Sequence, residues 1–526
     1  MHQLLPFLLA LVAAIVLIEM LATKLRVAYP VLLVLGGLGI SFLPGLPRVR
    51  IDPNLIFFIF LPPLLFEAAW NISYKEMKKW WRIIGSFAFL VVLASALAVA
   101  LFANHLFPGF TLALGFLLGG IVSPPDAVST GAIMRFVRIS RTTSTVLEGE
   151  SLLNDASSLI IFRFALAAVG TGQFLFGSAL GSFSWMVVGG VGIGLLFGWI
   201  FMQAHKRLPT DASSDIALTL IEPYFLYWIA EQVHSSGVLA VVTGGLFLST
   251  HRLSFLSSES RVSSSHFWDA FVFILNGVVF MLIGLQLPEI VAGLRADGIP
   301  LGTAMAYGAG VTLILIATRI LSSYVAMGAT LLFRPQVAPN RSNPRRMWRL
   351  PLLLGWTGMR GVVSLAAALA IPETLPNGAP FPERNLILFI TFSVILLTLL
   401  LQGLTLPLLI RRTKLFDASN EMPEAEARLK VRNKLAQYTV ALLKQKQEAG
   451  ALTDCNLERM LEQWEHKLER PESLKLDAAE KARYLEVLES QRAFVADLNK
   501  YPDLDERVIR WQIHQIDLEE ERVKLL

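Results

Sequence analysis

The chain reads as an all-α polytopic membrane protein followed by a helical tail, and three observations lead there. Hydrophobic residues make up 54% of its 526 and charged ones only 17%, with a mean hydropathy of +0.56, a balance unlike that of soluble domains. The apolar residues are gathered into runs of about twenty, the length a helix needs to cross a bilayer core. Basic residues collect in alternate connections between those runs, which is the asymmetry that orients membrane helices.

The first run, LLPFLLALVAAIVLIEMLA, has no basic n-region before it and no small-residue cleavage site after it, so it is read as a retained helix and not a signal peptide. Spans follow in order near 4–22, 27–45, 54–71, 83–106, 111–136 and 146–169. Further ones lie near 175–203, 214–233, 237–250, 267–290, 301–333, 350–372 and 386–410. About thirteen crossings are therefore expected. Basic clusters fall at Lys24 and Arg26, KEMKKWWR, RFVRISR, HKR, His251–Arg252, RPQVAPNRSNPRRMWR and RRTK. Placing these on the cytoplasmic side of a cell membrane puts the N-terminus outside and the C-terminus inside, as an odd number of spans requires.

After Arg412 the composition shifts to Glu, Lys, Arg, Gln and Leu. The chain thus divides into a membrane domain, 1–412, and a cytoplasmic helical tail, 413–526. The tail is expected to form amphipathic helices, for example over EAEARLKVRNKLAQYTVALLKQKQ, with breaks near Pro471 and Pro502. The net charge of +5 is small and calls for no nucleic-acid partner, and the single cysteine, Cys455, excludes an intrachain disulfide or a cysteine metal cluster. No cofactor is called for.

Polar residues at membrane depth carry the functional reading, because an ionisable group at the bilayer centre costs at least about 2.5 kcal/mol. In ESLLNDASSLIIFRFALAA, residues Glu150, Ser151, Asn154, Asp155 and Ser158 share one helix face, an arc of roughly 140° at about 100° per residue. Arg163 lies off that face and is read as snorkelling or paired locally. The preceding run contains GGIVSPPDAVSTGAIMR. Pro124 and Pro125 remove two backbone donors, so the helix must break just before Asp126, and the freed backbone groups must face protein or a wet cavity. A comparable break is expected in LGWTGMRGVVSLAAALAIP, where Gly355, Gly358 and Gly361 surround Arg360. Two interrupted helices in separate halves of a chain mark a transporter site between inverted repeats. Glu67 follows another Pro-Pro pair in FFIFLPPLLFEAAW, and is either part of an ion path or a local cap. Glu19, Glu222, Asp269, Asn276 and Arg319 are read as packing and hydrogen-bond partners between helices.

At FFIFLPPLLFEAAW, IVSPPDAVSTGAI, GESLLNDASSLI, SSGVLAVVTGGLFL, FVFILNGVVFMLIGLQL and GWTGMRGVVSLAAALA, the sequence resembles the sodium/proton exchangers of the NhaP/NHE family. The motifs stand in family order and span nearly the whole membrane domain. The resemblance implies about thirteen helices in a core and a dimerisation domain, a homodimer, and two discontinuous helices crossing beside the ion site. It implies that Asp155 is the carboxylate that takes either Na+ or a proton, that Asp126 is the acid on the unwound helix, and that Glu150 and Arg360 form a buried structural ion pair. The family's Asn-Asp form, here Asn154-Asp155, goes with electroneutral exchange. Ser123 stands where the usual pattern has threonine and is expected to supply that hydroxyl, beside Ser151 and Asn154 in the site.

The resulting expectation is a secondary antiporter, not an enzyme, that exchanges Na+ or Li+ for H+ by alternating access, with competition at Asp155. The sequence leaves open K+/H+ exchange on the same fold, a gated cation channel, and a membrane enzyme using Asp126 and Asp155 as an acid pair. Against the last, no zincin or Gly-x-Ser-x-Gly motif occurs.

Overall fold

The computed structural model describes residues 4–42, 53–134, 141–172, 176–333, 344–375, 378–413, 424–448, 461–466, 478–497 and 506–525. It divides into two compact units, Met1–Ser419 and Asn420–Leu526. In the described part of the first the regular structure is helix, with one isolated bridge between Thr374 and Pro380. Eight of its helices are long and apolar enough to cross a membrane. Cys455, Pro471 and Pro502, and the basic stretches over 135–140 and 334–343, lie outside the described residues.

The helices run α1 (Leu4–Leu25), α2 (Tyr29–Ser41), α3 (Pro53–Asn71), α4 (Tyr74–Gly85), α5 (Val92–Leu106), α6 (Leu112–Val122), α7 (Ala127–Met134) and α8 (Arg141–Thr171). They continue as α9 (Phe176–Arg207), α10 (Ala212–Gln232), α11 (Gly237–Phe255), α12 (Ser258–Ala296), α13 (Leu301–Phe333), α14 (Pro344–Trp356), α15 (Val362–Leu369) and α16 (Arg384–Thr413). A π-helical segment, Ser86–Val91, joins α4 to α5 without a break. Each expected span has a helical stretch among the described residues, and two of them are interrupted, at 123–126 and at 357–361. Several helices outrun their apolar cores: α12 begins at Ser258 and not near 267, because Ser257 caps it by accepting from the Ser260 N–H.

Contacts sort the helices of this unit into two groups. The first is α4–α8 with α13–α16, joined through α5 with α6, α6 with α8, and α13 with α14 and α16. The second is α1–α3 with α9–α12, joined through α2 with α12 and α11 with α3 and α9. Small residues set these approaches. A Cβ on Gly119 would meet the Ala96 carbonyl oxygen at 2.5 Å, and one on Gly115 the Ala100 oxygen at 2.6 Å, so α5 and α6 touch backbone to backbone.

The tail unit contains α17 (Glu424–Glu448), α18 (Ala478–Asp497) and α19 (Glu506–Leu525). Leu488, Ile516 and Val523 form its small core between α18 and α19. Arg492 ties the same pair, with Glu489 on its own helix and Asp517 and Glu520 across.

Candidate ion-binding site

Two helices of the first group are interrupted where the sequence predicts. α6 ends at Val122 and α7 starts at Ala127, with Ser123, Pro124, Pro125 and Asp126 between. α14 ends at Trp356 and α15 starts at Val362, leaving Thr357 to Gly361 without helix. The broken segments meet. The Asp126 N–H donates to the Met359 carbonyl at 2.7 Å, and Thr130 Oγ1 lies 3.5 Å from the Thr357 carbonyl oxygen. Each interruption thus satisfies backbone groups that the other frees, the condition for irregular chain at membrane depth.

Asp126 starts α7. Its carboxylate accepts from the Val128 N–H at 3.1 Å, from the Ser129 N–H at 3.2 Å and from Ser129 Oγ at 2.5 Å. The negative side chain therefore sits on the positive end of the half-helix. Gly361 faces it: an added Cβ would stand 2.7 Å from Asp126 Cγ. Glycine is required at 361 for the second segment to pass this close.

The α8 face supplies the remaining groups. Asn154 is fully buried and its Nδ2 donates to the Pro125 carbonyl at 3.0 Å, so the amide satisfies an acceptor exposed by the proline break. Asp155, the next residue, is 7% exposed. Only its backbone carbonyl is engaged, by Ser158 Oγ at 3.0 Å; no described residue hydrogen-bonds its carboxylate. Asp126 and Asp155 lie within electrostatic range of one another. Asn154 Oδ1, Ser123 Oγ and Ser364 Oγ are buried and lack a hydrogen-bond partner among the described residues. Carboxylate, amide and hydroxyl oxygens left unpaired on the elements that cross here form a donor set suited to a hard cation. A cavity of about 290 Å3 lined by Asp126, Glu150, Ser151, Thr130, Thr357 and Arg319, among others, reaches the crossing.

The expected ion pair is corrected. Glu150 is held not by Arg360 but by Arg319 on α13, whose Nη1 and Nη2 donate to the two carboxylate oxygens at 2.6 and 2.9 Å. A planar guanidinium matches a carboxylate in this fork, and α13 runs its Arg319 straight at the polar face of α8, whereas Arg360 sits in the irregular segment. Arg360 is 1% exposed and within electrostatic range of both Glu150 and Arg319. Its backbone N–H donates to Thr398 Oγ1 at 3.1 Å, while Nε and Nη1 find no partner among the described residues.

Ser151, Asp126, Asn154, Asp155 and Ser123 are thus gathered on the crossing helices or on the cavity that reaches them. Glu67 is not among that cavity's lining. It accepts from Asn71 Nδ2 at 2.7 Å and faces a second cavity, of about 280 Å3, with Arg252, Arg261 and Asp269. Arg163 pairs with Glu231 on α10 through Nη2, at 2.8 and 2.7 Å from the two carboxylate oxygens. Arg319, read from sequence as a hydrogen-bond partner between helices, is one, and what that reading missed is that its partner is Glu150; its signal was the same as that of Arg360, a lone arginine inside an apolar run.

Known proteins similar to this chain point to one family. The family model described as "Sodium/hydrogen exchanger, transmembrane" matches residues 8–412. An uncharacterized Na+/H+ exchanger of Mycobacterium tuberculosis is 33% identical, covering 97% of this chain and 94% of that one. The sodium, potassium, lithium and rubidium/H+ antiporter of Bacillus subtilis is 33% identical over 71% of this chain and 56% of its own length. Among solved structures, the sodium proton antiporter MjNhaP1 of Methanocaldococcus jannaschii superposes with a TM-score of 0.61 at 19% identity, covering 78% of this chain and 98% of that one, which shows a shared fold. The chain belongs to the sodium/hydrogen exchanger family of membrane antiporters.

Proposed function

We propose that the protein exchanges Na+ or Li+ for H+ one for one, with proton and cation competing for Asp155. One observation carries this reading: Asp155 is a buried carboxylate with no hydrogen bond from a described residue, beside a crossing where Asp126 is already saturated by donors and Asn154 is committed to Pro125. A carboxylate in that setting is stable only when neutralised, and a proton or a small cation can do it, but not both at once. Movement of the first helix group against the second when Asp155 is neutral would couple the two fluxes. The same reading takes the membrane domain as thirteen crossings with inverted repeats, the basic loops and tail as cytoplasmic, the second helix group as the seat of a homodimer contact, and Glu67 as part of an approach to the site rather than a ligand.

K+/H+ exchange is kept as a second reading because the Bacillus subtilis relative is named for potassium and rubidium as well as sodium and lithium. The test is reconstitution into vesicles with a pH-sensitive dye and pulses of Li+, Na+ and K+. Na+ and Li+ should collapse an imposed pH gradient, and Asp155→Asn should remove that response while the protein still inserts and elutes as a folded species. Exchange by the Asp155→Asn variant would overturn the assignment of the site; a response to K+ alone would overturn the cation.

A further inference from the structure

Away from the crossing, in the second helix group, lies a buried cluster that the ion-site reading does not use. His205 stands in the last turn of α9 and is 4% exposed. Its Nδ1 is 2.8 Å from Asp215 Oδ1 and its Nε2 is 2.9 Å from Glu222 Oε1, both on α10. Asp215 and Glu222 are 4% and 0% exposed. We propose that His205, Asp215 and Glu222 form a second proton-binding site, set apart from Asp155, whose proton clamps the end of α9 to α10.

The argument is a count of hydrogens. A neutral imidazole has one N–H and one lone pair. Both ring nitrogens here face carboxylate oxygens at hydrogen-bond distance, so both contacts are attractive only if the cluster holds one proton more than a neutral histidine with two carboxylates. Remove that proton and a nitrogen lone pair is left against a carboxylate, with burial denying water the chance to replace the bond. Asp215 is the better anchored arm, since its Oδ2 also accepts from Ser260 Oγ on α12 at 2.6 Å. Glu222 Oε2 has no partner among the described residues. The Glu222 contact is therefore the one that opens. Two donors sharing a tetrahedral metal with bonds of ~2.0–2.2 Å would stand roughly 3.3–3.6 Å apart, so ring nitrogens 2.8 and 2.9 Å from their carboxylate oxygens leave room for a proton between them and not a metal.

No other charge among the described residues competes at the ring. On α9, Lys206 and Arg207 are exposed. α11 meets the imidazole with the Phe255 ring, centroids 5.1 Å apart, and its His251 and Arg252 are exposed. α12 contributes Ser260 to Asp215, and Trp268 Nε1 donates to Thr219 Oγ1 on α10 at 3.2 Å. On α12 Glu259 and Asp269 are exposed, and Arg261 gives Nη1 to the Leu256 carbonyl. On α3, Glu67 is held by Asn71. The cluster therefore responds to its own proton, and it joins helices of the group that does not contain the crossing.

The test is hydrogen–deuterium exchange over a pH series in lipid nanodiscs, read on peptides covering 200–208 and 212–222 and corrected for the intrinsic pH dependence of amide exchange. It is run in an Asp155→Asn background, so that failure of the ion-site reading cannot produce or mask the result. The protein with His205 and Glu222 intact should lose about tenfold in protection of these peptides at the alkaline end, the loss of one charge-assisted bond. In Glu222→Gln the amide either accepts from or donates to Nε2 and needs no extra proton, so protection should stay level across the series. His205→Gln should show the low protection already at acid pH. A flat profile in the intact cluster, or an unchanged alkaline loss in Glu222→Gln, overturns the proposal. Should His205→Gln fail to fold, the Glu222→Gln comparison decides.

Discussion

Glu150 and Arg319 are 1% and 2% exposed and are bound to each other through both oxygens and both terminal nitrogens. A fork buried to that degree is expensive to break, because removing one partner strands a charge out of water. Arg319→Met should lower stability by about 3–5 kcal/mol, read by thermal or denaturant unfolding in detergent. Arg360→Met should cost less, since its Nε and Nη1 are already unpaired. A double-mutant cycle with Glu150→Gln should give a coupling energy at position 319 larger than at 360; the reverse would restore the pairing expected from sequence. That expectation failed for a physical reason. Sequence shows which residues are charged within apolar runs, and a buried Glu implies a buried cation, but two arginines answered that description. Which one pairs is set by how α13 and α8 pack, and residues 169 positions apart leave no spacing to read. Asp155, Asp126 and Asn154 were legible because each lies on one helix face or beside a proline break, and those local rules survive folding.

At the scale of elements, both helix interruptions were legible for the same reason, since proline removes a backbone donor and clustered glycines permit close approach wherever they occur. What could not be read was their mutual contact, the Asp126 N–H on the Met359 carbonyl. The π-helical segment Ser86–Val91 was also invisible, as nothing in SFAFLV disfavours an ordinary helix; its sign is tertiary, the Ala88 carbonyl accepting from Ser157 Oγ at 2.5 Å. The HKR stretch was read for its charges as a loop, and the burial of its histidine against α10 was missed. The crossing itself gives a sharp prediction. Gly361→Ala drives a Cβ into the Asp126 carboxyl group, so the two broken segments must part and exchange in vesicles should fall to background while the protein remains membrane-inserted. Wild-type exchange by that variant would show that the close passage is dispensable. A milder prediction concerns the start of α10. Asp211 caps α10 at Ser214, and hydrogen bonds from the Ser214 side chain and from its N–H, the latter at 2.8 Å, hold the Asp211 carboxyl below the ordinary value. A group depressed on folding adds stability that is present above its unfolded value and is lost as pH falls through its folded one. Asp211→Ala should therefore lower the melting temperature at neutral pH and make no difference in acid below the carboxylate range.

For the molecule as a whole, the question is how many charges move in each direction, and the proposed role of Asp155 makes a definite prediction. Three carboxyl or carboxamide groups stand at the crossing. Asp126 accepts from two backbone N–H groups and a hydroxyl as the cap of α7, and the proposed reading gives it no part in proton traffic. Asn154 cannot ionise and spends its amide on Pro125. On the proposed reading Asp155 alone changes occupant, and one carboxylate then exchanges one proton for one monovalent cation. The exchange should then carry no net charge. The measurement is the cation gradient that just balances a fixed pH gradient in vesicles, taken with the membrane potential clamped at zero and again at 100 mV using K+ and valinomycin. A carrier moving one net charge would gain about 2.3 kcal/mol per 100 mV, and its balance point would shift by about fiftyfold. The balance point here should not move. A shift of that size would mean that a second proton travels, and Asp126, the other acid at the crossing, would have to give up its cap to carry it.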